Sequence, residues 1–262
     1  MAELSVDQLL ALDRRGEARC LAEADGLRVL EAAGHRWLDG GGGAVQAVMD
    51  LADPARPCLA ATRHLLAALL WQPRPNRVLN LGVGGGCIER FVAATLPTAR
   101  CQSVDASAAA LRLATTWFGL PPGEQVHGRA EAVLAVAGEP CDLIVCDLFE
   151  GDRHAACVAD PVFQTNLAAR LAPAGVVALN LSPRRETDLT TLLVALRRHL
   201  PWVILCTSEG CGNVGVLASR QPPAPARIAE RAAVLSTATR SDFVALAGRF
   251  TALPPPPTEE IE

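Results

Sequence analysis

RVLNLGVGGGCIERFVAAT, residues 77–95, decides the fold. Its opening RVLNLG (77–82) is a nearly unbroken apolar run, the pattern of a strand buried on both faces. The glycine-rich turn Leu81-Gly82-Val83-Gly84-Gly85-Gly86 follows at once and leads into a helix predicted over 86–95. Glycine suits that junction because the backbone must turn sharply and come close to a ligand, where a side chain would intrude. In open α/β sheets ligands bind at the carboxyl ends of the strands, near the point where strand order reverses.

Downstream the rhythm repeats. CQSVD (101–105) reads as a second strand and SAAALRLATTWF (107–118) as its helix, and QVHG (125–128) as a third strand with a short helix behind it. CDLIVCDLF (141–149) is a fourth strand with the helix DPVFQTNLAARLA (160–172), and GVVALNLS (175–182) a fifth with TDLTTLLVALRRHL (187–200). Strands alternating with helices imply βαβ units in a parallel sheet. Only EGCG separates PWVILCTS (201–208) from NVGVLAS (213–219). A connection that short cannot hold a crossover helix, so these two strands run antiparallel. The expected fold is therefore α/β: a doubly wound, seven-stranded, methyltransferase-like (Rossmann-like) sheet.

Upstream, AATRHLLAALLW (60–71) is helical and is stopped by Pro73 and Pro75. Before it, GLRVLEA, HRWLDG and GGAVQAVMD are short alternating runs split by glycines, which predicts a small antiparallel β segment. Gly40 to Gly43 form a turn or flexible loop, and residues 1–25 read as a short amphipathic helix and linker. The expected domains are an N-terminal helix and β segment over 1–58, the α/β domain over 59–253, and a disordered tail, PPPPTEEIE, over 254–262.

Bulk composition narrows the function. The chain has 262 residues and a net charge of −4, with no concentrated Lys/Arg stripe, so no nucleic-acid partner is expected. No apolar run reaches the roughly 18 residues of a membrane span. The first twenty residues mix acids and arginines among their apolar residues, unlike a secretory signal. A cytoplasmic protein without a membrane partner is expected. The nine cysteines form no C-x-x-C pair, and several lie in apolar strand-like runs, which predicts reduced structural thiols. The scattered histidines pair with no cysteine at ligand spacing, so no metal is expected.

The glycine turn also selects among nucleotide ligands. Counted from Gly82, the sixth position of a G-x-G-x-x-G fingerprint is Cys87, so the dinucleotide pattern fails. The pattern G-x-G-G-G suits an adenosyl ligand, which has no pyrophosphate to seat. Asp105 ends the second strand, 23 residues after Gly82, where its carboxylate can accept from both ribose hydroxyls or simply cap the strand.

On the fourth strand Asp147 ends at the same edge, and Glu150, Asp152 and His154 follow in the adjoining loop. Transfer from a sulfonium to an amine needs a neutral amine, so a carboxylate that accepts its proton is chemically apt. Asp147 with Glu150 would also attract a cation. Otherwise these residues are solvated loop acids. Asp142, at the far end of the strand, reads as structural, and His127 either lines the adenine side or is structural.

With these blocks in view, residues 35–182 resemble the spermidine synthases (polyamine aminopropyltransferases) and their bacterial relatives. HRWLDG and AVQAVMDLADP resemble the N-terminal β segment of that family, with its L-x-L-D-G and Q-S elements. RHLLAALLWQPRPNRVLNLGVGGG resembles its helix leading into the glycine loop. SVDAS stands where the family has V-E-I-D, which makes Asp105 the ribose-binding acid. CDLIVCDLFEGD stands for Y-D-V-I-x-x-D-x-x-D-P, which makes Asp147 the catalytic aspartate and Glu150 the second acid.

The resemblance implies S-adenosylmethionine or its decarboxylated form as co-substrate, bound by Gly82, Gly84, Gly85, Gly86, Asp105, Arg129 and Ala130. It implies a small-molecule amine acceptor in a groove holding Gln46, Thr62 and Arg63, and a possible homodimer through the N-terminal β segment. The chain also departs from the family. Gly85 replaces the loop aspartate of G-G-G-D-G-G, and Ala61-Thr62-Arg63 replaces Y-Q-E or Y-H-E. Arg129-Ala130 replaces D-A, with Glu131 nearby as a substitute, and the chain has no tyrosine. An arginine in the groove would repel a dication and hold a carboxylate, so putrescine is expected to be a poor acceptor. The expected function is aminopropyl, or related, transfer to an amine. The alternatives are a methyltransferase on the same fold, or a catalytically silent relative acting in binding or assembly.

Overall fold

The structure, a computed structural model, describes residues 5–254. Helix α1 (Val6–Arg14) precedes four antiparallel strands paired in chain order: β1 (Arg19–Ala24), β2 (Leu27–Ala32), β3 (His35–Asp39) and β4 (Val45–Asp50). Strand β1 occupies what the sequence presented as linker. Its cause is local: Asp25 and Gly26 have φ of 50° and 78°, so two left-handed residues close a tight β1–β2 hairpin. Ala33 and Gly34, at 48° and 76°, close β2–β3 in the same way.

The main unit runs α2 (Ala60–Leu66), β5 (Arg77–Leu81), α3 (Cys87–Thr95), β6 (Arg100–Asp105), α4 (Ala108–Trp117), β7 (Glu124–His127), α5 (Ala130–Ala135) and β8 (Cys141–Cys146). A two-stranded hairpin follows, β9 (Phe149–Glu150) and β10 (Arg153–His154). Then come α6 (Pro161–Arg170), β11 (Leu171–Leu181), α7 (Glu186–Arg197), β12 (Trp202–Cys206), β13 (Val214–Ser219), α8 (Pro225–Thr239), α9 (Phe243–Ala247) and β14 (Thr251–Leu253).

Across the sheet the order is β14-β12-β13-β11-β8-β5-β6-β7. Strand β13 pairs antiparallel with both β11 and β12, as the short connection required. The sheet has eight strands rather than the expected seven, because β14 adds antiparallel to the free edge of β12. It arrives there through α8 and α9, which the sequence pattern did not announce. Strand β8 also stops earlier than expected. Asp147 and Leu148 leave the sheet, and the chain reverses around Gly151 (φ 65°) into the β9–β10 hairpin.

Helices cover both faces. Leu143 and Val145 of β8 pack into the layer of α2, α3, α8 and α9, with Phe91, Ile228 and Phe243. Cys141, Ile144 and Cys146 pack into the layer of α5, α6 and α7, with Leu134, Phe163 and Leu196. Burial on both sides explains why these strands read as continuous apolar runs. The N-terminal sheet docks elsewhere: Val29, Leu38, Ala47 and Met49 pack on Leu113 and Phe118 at α4.

All nine cysteines are free thiols. Among the described residues no helix is long and apolar enough to cross a membrane, and no group of three or more His, Cys, Asp or Glu is placed to hold a metal. The tail expectation for 254–262 lies outside the described residues except at Pro254, whose carbonyl accepts from the Arg197 guanidinium.

Candidate functional site

Strands β6 and β7 extend the sheet to one side of β5, and β8 then returns to its other side. That reversal leaves a crevice at the carboxyl ends of β5 and β8. A cleft of about 680 Å³ opens there, lined by the glycine turn, Asp105, Asp147 and the β9–β10 hairpin. The parallel register, Leu81 beside Cys146 and Leu179 beside Cys146, places Gly82, Asp147 and Asn180 in one row across three strands.

The four glycines do different things. Gly82 has φ 97°, and a Cβ on it would lie 2.2 Å from the Asp147 carbonyl oxygen, so β8 can approach only a glycine. Gly84 (φ 51°) faces open space, with nothing closer to its would-be Cβ than the Gln46 carbonyl oxygen at 3.9 Å. Both line the cleft. Gly85 instead packs behind the loop, where a Cβ would come within 2.6 Å of Ala47 Cβ. At Gly86 a Cβ would meet Leu120 at 2.8 Å. Neither Gly85 nor Gly86 lines the cleft. The place where the resembling family carries an aspartate is therefore filled by the N-terminal sheet.

A buried polar floor supports the turn. Asn80 Nδ2 donates to the Gly82 carbonyl (3.1 Å) and to Glu89 Oε1 (2.7 Å), which also accepts from Ser103 Oγ (2.6 Å). Burial pushes the Glu89 carboxyl up, against these hydrogen bonds. Arg90 donates to the carbonyls of Gly85, Phe118 and Pro54, tying the turn to the segment before α2.

Asp105 stands at the end of β6 and lines the cleft. Its Oδ2 accepts from the backbone N–H of Val83 (2.8 Å) and Gly84 (3.2 Å), and its Oδ1 from Ser107 N–H (2.8 Å). The carboxylate thus braces the glycine turn and holds Ser107, the N-cap of α4, and it keeps lone pairs that these bonds do not use. Asp105→Ala leaves these N–H groups without their acceptor, with an expected loss of about 1–3 kcal/mol. Thermal unfolding of the ligand-free variant measures it; an unchanged Tm would mean that water replaces the carboxylate.

Asp147 sits partly buried on the cleft floor. Burial raises its pKa above the ordinary carboxylate value, and a hydrogen bond from Asn180 Nδ2 to Oδ1 (2.8 Å) opposes the rise. Asn213 Nδ2 in turn donates to Asn180 Oδ1 (2.9 Å). Glu150 and Asp152 line the cleft from the hairpin, whereas His154 turns away and accepts from Ser182 N–H (3.2 Å). Asn180 and Asn213 escaped the sequence reading. The one signal for Asn180 is a polar residue inside an apolar strand, VVALNLS, echoing the Asn80 of RVLNLG, while Asn213 merely precedes the run VGVLAS.

On the opposite wall, Gln46, Ala61 and Thr62 line the cleft. Arg63, expected in the groove, does not. Its guanidinium donates to the carbonyls of Pro57 (3.1 Å) and Cys58 (3.0 Å). One residue along a helix turns a side chain by about 100°; the groove takes Ala61 and Thr62, and the next step carries Arg63 round to these carbonyls. The expected repulsion of a dication by Arg63 therefore loses its basis. Arg129 and Ala130 line the far end, where Arg129 is ion-paired to Glu131 at 2.7 Å. Asp142 Oδ2 caps the N–H groups of Asn76 and Arg77, a structural role, and His127 lies 3.2 Å from the Ala106 carbonyl, outside the cleft. Among the described residues, six carboxylates (Asp25, Asp105, Glu131, Asp147, Glu150, Asp152) and one guanidinium, Arg129, line the cleft.

Known proteins share this architecture. The chain is 28% identical to a polyamine aminopropyltransferase of Chromobacterium violaceum over 204 residues, covering 75% of this chain and 77% of that one. Its fold matches a probable spermidine synthase from Corynebacterium glutamicum with a TM-score of 0.69 at 18% identity, covering 80% of this chain and 85% of the other. It matches human methyltransferase-like protein 13, solved in complex with SAH, with a TM-score of 0.62 at 23% identity, covering 70% and 94%. No protein-family model matches the chain. In sequence the chain is thus similar to polyamine aminopropyltransferases, and its fold is the one found in both a probable spermidine synthase and a methyltransferase.

Proposed function

We propose that the chain transfers an aminopropyl group from decarboxylated S-adenosylmethionine to an aliphatic amine. The observation that carries this reading is the lining of the cleft, six carboxylates against one guanidinium. Low-dielectric walls of one sign concentrate ligands of the other, and both co-substrates of such a reaction are cations. The sulfonium supplies an electrophilic carbon and a thioether leaving group. Gly82 and Gly84 offer bare backbone for the adenosyl moiety to lie against, and Asp105 has lone pairs left for its ribose. Among the described residues Arg129, already paired to Glu131, is the one guanidinium in the lining, which disfavours an intact methionine carboxylate. Asp147 takes the proton of the attacking amine, and Glu150 and Asp152 hold its charged remainder. Most of the acceleration comes from aligning the nucleophile with the carbon it attacks.

Methyl transfer is the second reading, favoured by the fold shared with the methyltransferase solved with SAH. The products separate the two. Incubation with decarboxylated S-adenosylmethionine and a set of aliphatic amines, putrescine included, is expected to release methylthioadenosine. Release of S-adenosylhomocysteine from intact S-adenosylmethionine instead would favour methyl transfer. No binding of either sulfonium in titration calorimetry would leave only a silent binding or assembly role.

A further inference from the structure

Topology alone puts three amide-bearing or acidic side chains together at the cleft floor. Leu179 pairs with Cys146 in the parallel β8–β11 ladder, so the next residues along, Asn180 and Asp147, are neighbours. Across the other side of β11, Asn180 faces Gly215 in the antiparallel ladder with β13. Asn213 precedes Gly215 by two, which makes it a diagonal neighbour of Asn180 on the same face. Gly215 has no side chain to intervene, and the two carboxamides meet at 2.9 Å.

The polarity of this chain of hydrogen bonds is fixed by chemistry. An ionised Asp147 only accepts, so Asn180 must turn its NH2 toward it. Its carbonyl oxygen must then face Asn213, which must donate. Asn213 lies just ahead of β13, and its amide locks the orientation of Asn180. Asp147 Oδ1 is thereby occupied, while Oδ2 makes no hydrogen bond within the described chain. All three side chains line the cleft.

We infer that Asn180 and Asn213 are positioning residues, a carboxamide relay that fixes the rotation of Asp147 and reserves its Oδ2 for the N–H of the acceptor amine. The inference rests on the proposed transfer for its purpose, but not for its test. A carboxylate free to rotate would offer either oxygen, or neither, to the amine. One held at Oδ1 presents the second at a set place, which an in-line attack demands. The donated hydrogen bond also favours the ionised form of a carboxylate whose burial disfavours it.

The experiment uses the full chain labelled with 13C at the aspartate side-chain carboxyls, titrated by NMR, with the Asp147 signal identified by its loss in Asp147→Asn. Asn180→Leu matches the size of asparagine and removes the donor; the Asp147 midpoint is expected to rise by about one pH unit or more. Asn180→Asp, closer still in shape, places a second carboxylate there and is expected to raise it further. Asn213→Leu should raise it less, because it frees the Asn180 amide to rotate without deleting it. Near-ultraviolet circular dichroism confirms that each variant is folded. An unchanged midpoint in folded Asn180→Leu overturns the relay, and an unchanged midpoint in Asn213→Leu removes Asn213 from it. Failure of the wild-type chain to turn over any amine would overturn the proposed reaction while leaving these titrations to decide the relay. Where turnover is present, the acid limb of kcat should move with the NMR midpoint, a correlation that a purely structural asparagine would not produce.

Discussion

Asp147→Asn is expected to lower turnover by roughly 10²–10⁴, with affinity for the adenosyl ligand changed only a few-fold. The substitution preserves shape. The new amide must present its oxygen to Asn180 Nδ2, 2.8 Å away in the native protein, so its NH2 takes the place of the free Oδ2. A donor then stands where the amine needs an acceptor. The pH dependence offers a second readout. Asp147 acts as a base only when ionised, and burial raises its pKa. The native rate should therefore fall as pH drops through a midpoint above the ordinary carboxylate value of about 4. The variant should lose that limb. Steady-state rates across the acid range test both effects, and a variant that keeps the native rate would show that Asp147 is not the base.

Gly82→Ala should destabilise the fold by about 3–5 kcal/mol, the largest effect expected of any loop glycine. Two costs add. Left-handed backbone at φ 97° opposes any L-side chain, and the new Cβ would lie 2.2 Å from the Asp147 carbonyl oxygen and 2.9 Å from its carbon. Those are backbone atoms of the adjacent strand. They can retreat only by stretching the hydrogen bond from Asp147 N–H to Leu81 O, now 2.8 Å. Gly84→Ala is the comparison: its φ of 51° lies in the left-handed well that an L-residue can occupy at modest cost, and nothing lies closer than 3.9 Å to the new methyl. Urea unfolding should show a small loss for Gly84→Ala and a large one for Gly82→Ala. Similar losses would mean that the close approach of Asp147 adds no cost at position 82.

The two substitutions illustrate what the sequence could and could not disclose. The βαβ rhythm was legible because strands buried on both faces are apolar throughout and glycines punctuate them. Strand β1 hid behind a mixed-polarity run, RCLAEA, although Asp25-Gly26 is a strong hairpin signal. Helix α8 has a diffuse apolar stripe of Ile228 and Ala232 among alanines and arginines, and β14 is three residues long, too short for any period. At the site, Asp147 and Asp105 announced themselves as acids ending strands. Asn180 and Asn213 did not, because their meeting depends on the register of β11 against two neighbours. Arg63 stood beside Thr62 in the sequence but is held by the carbonyls of Pro57 and Cys58, a contact that only the fold of the segment before α2 reveals.

The contact of Gly85 with Ala47 makes two segments distant in sequence interdependent. A Cβ at 85 would lie 2.6 Å from the Ala47 Cβ, so a larger residue there clashes unless position 47 gives up its methyl. Ala47→Gly alone would open a void in a packed interface. The bare backbone at 85 is thus a property of the pair: the N-terminal sheet, and not the turn by itself, decides which side chains the turn can carry.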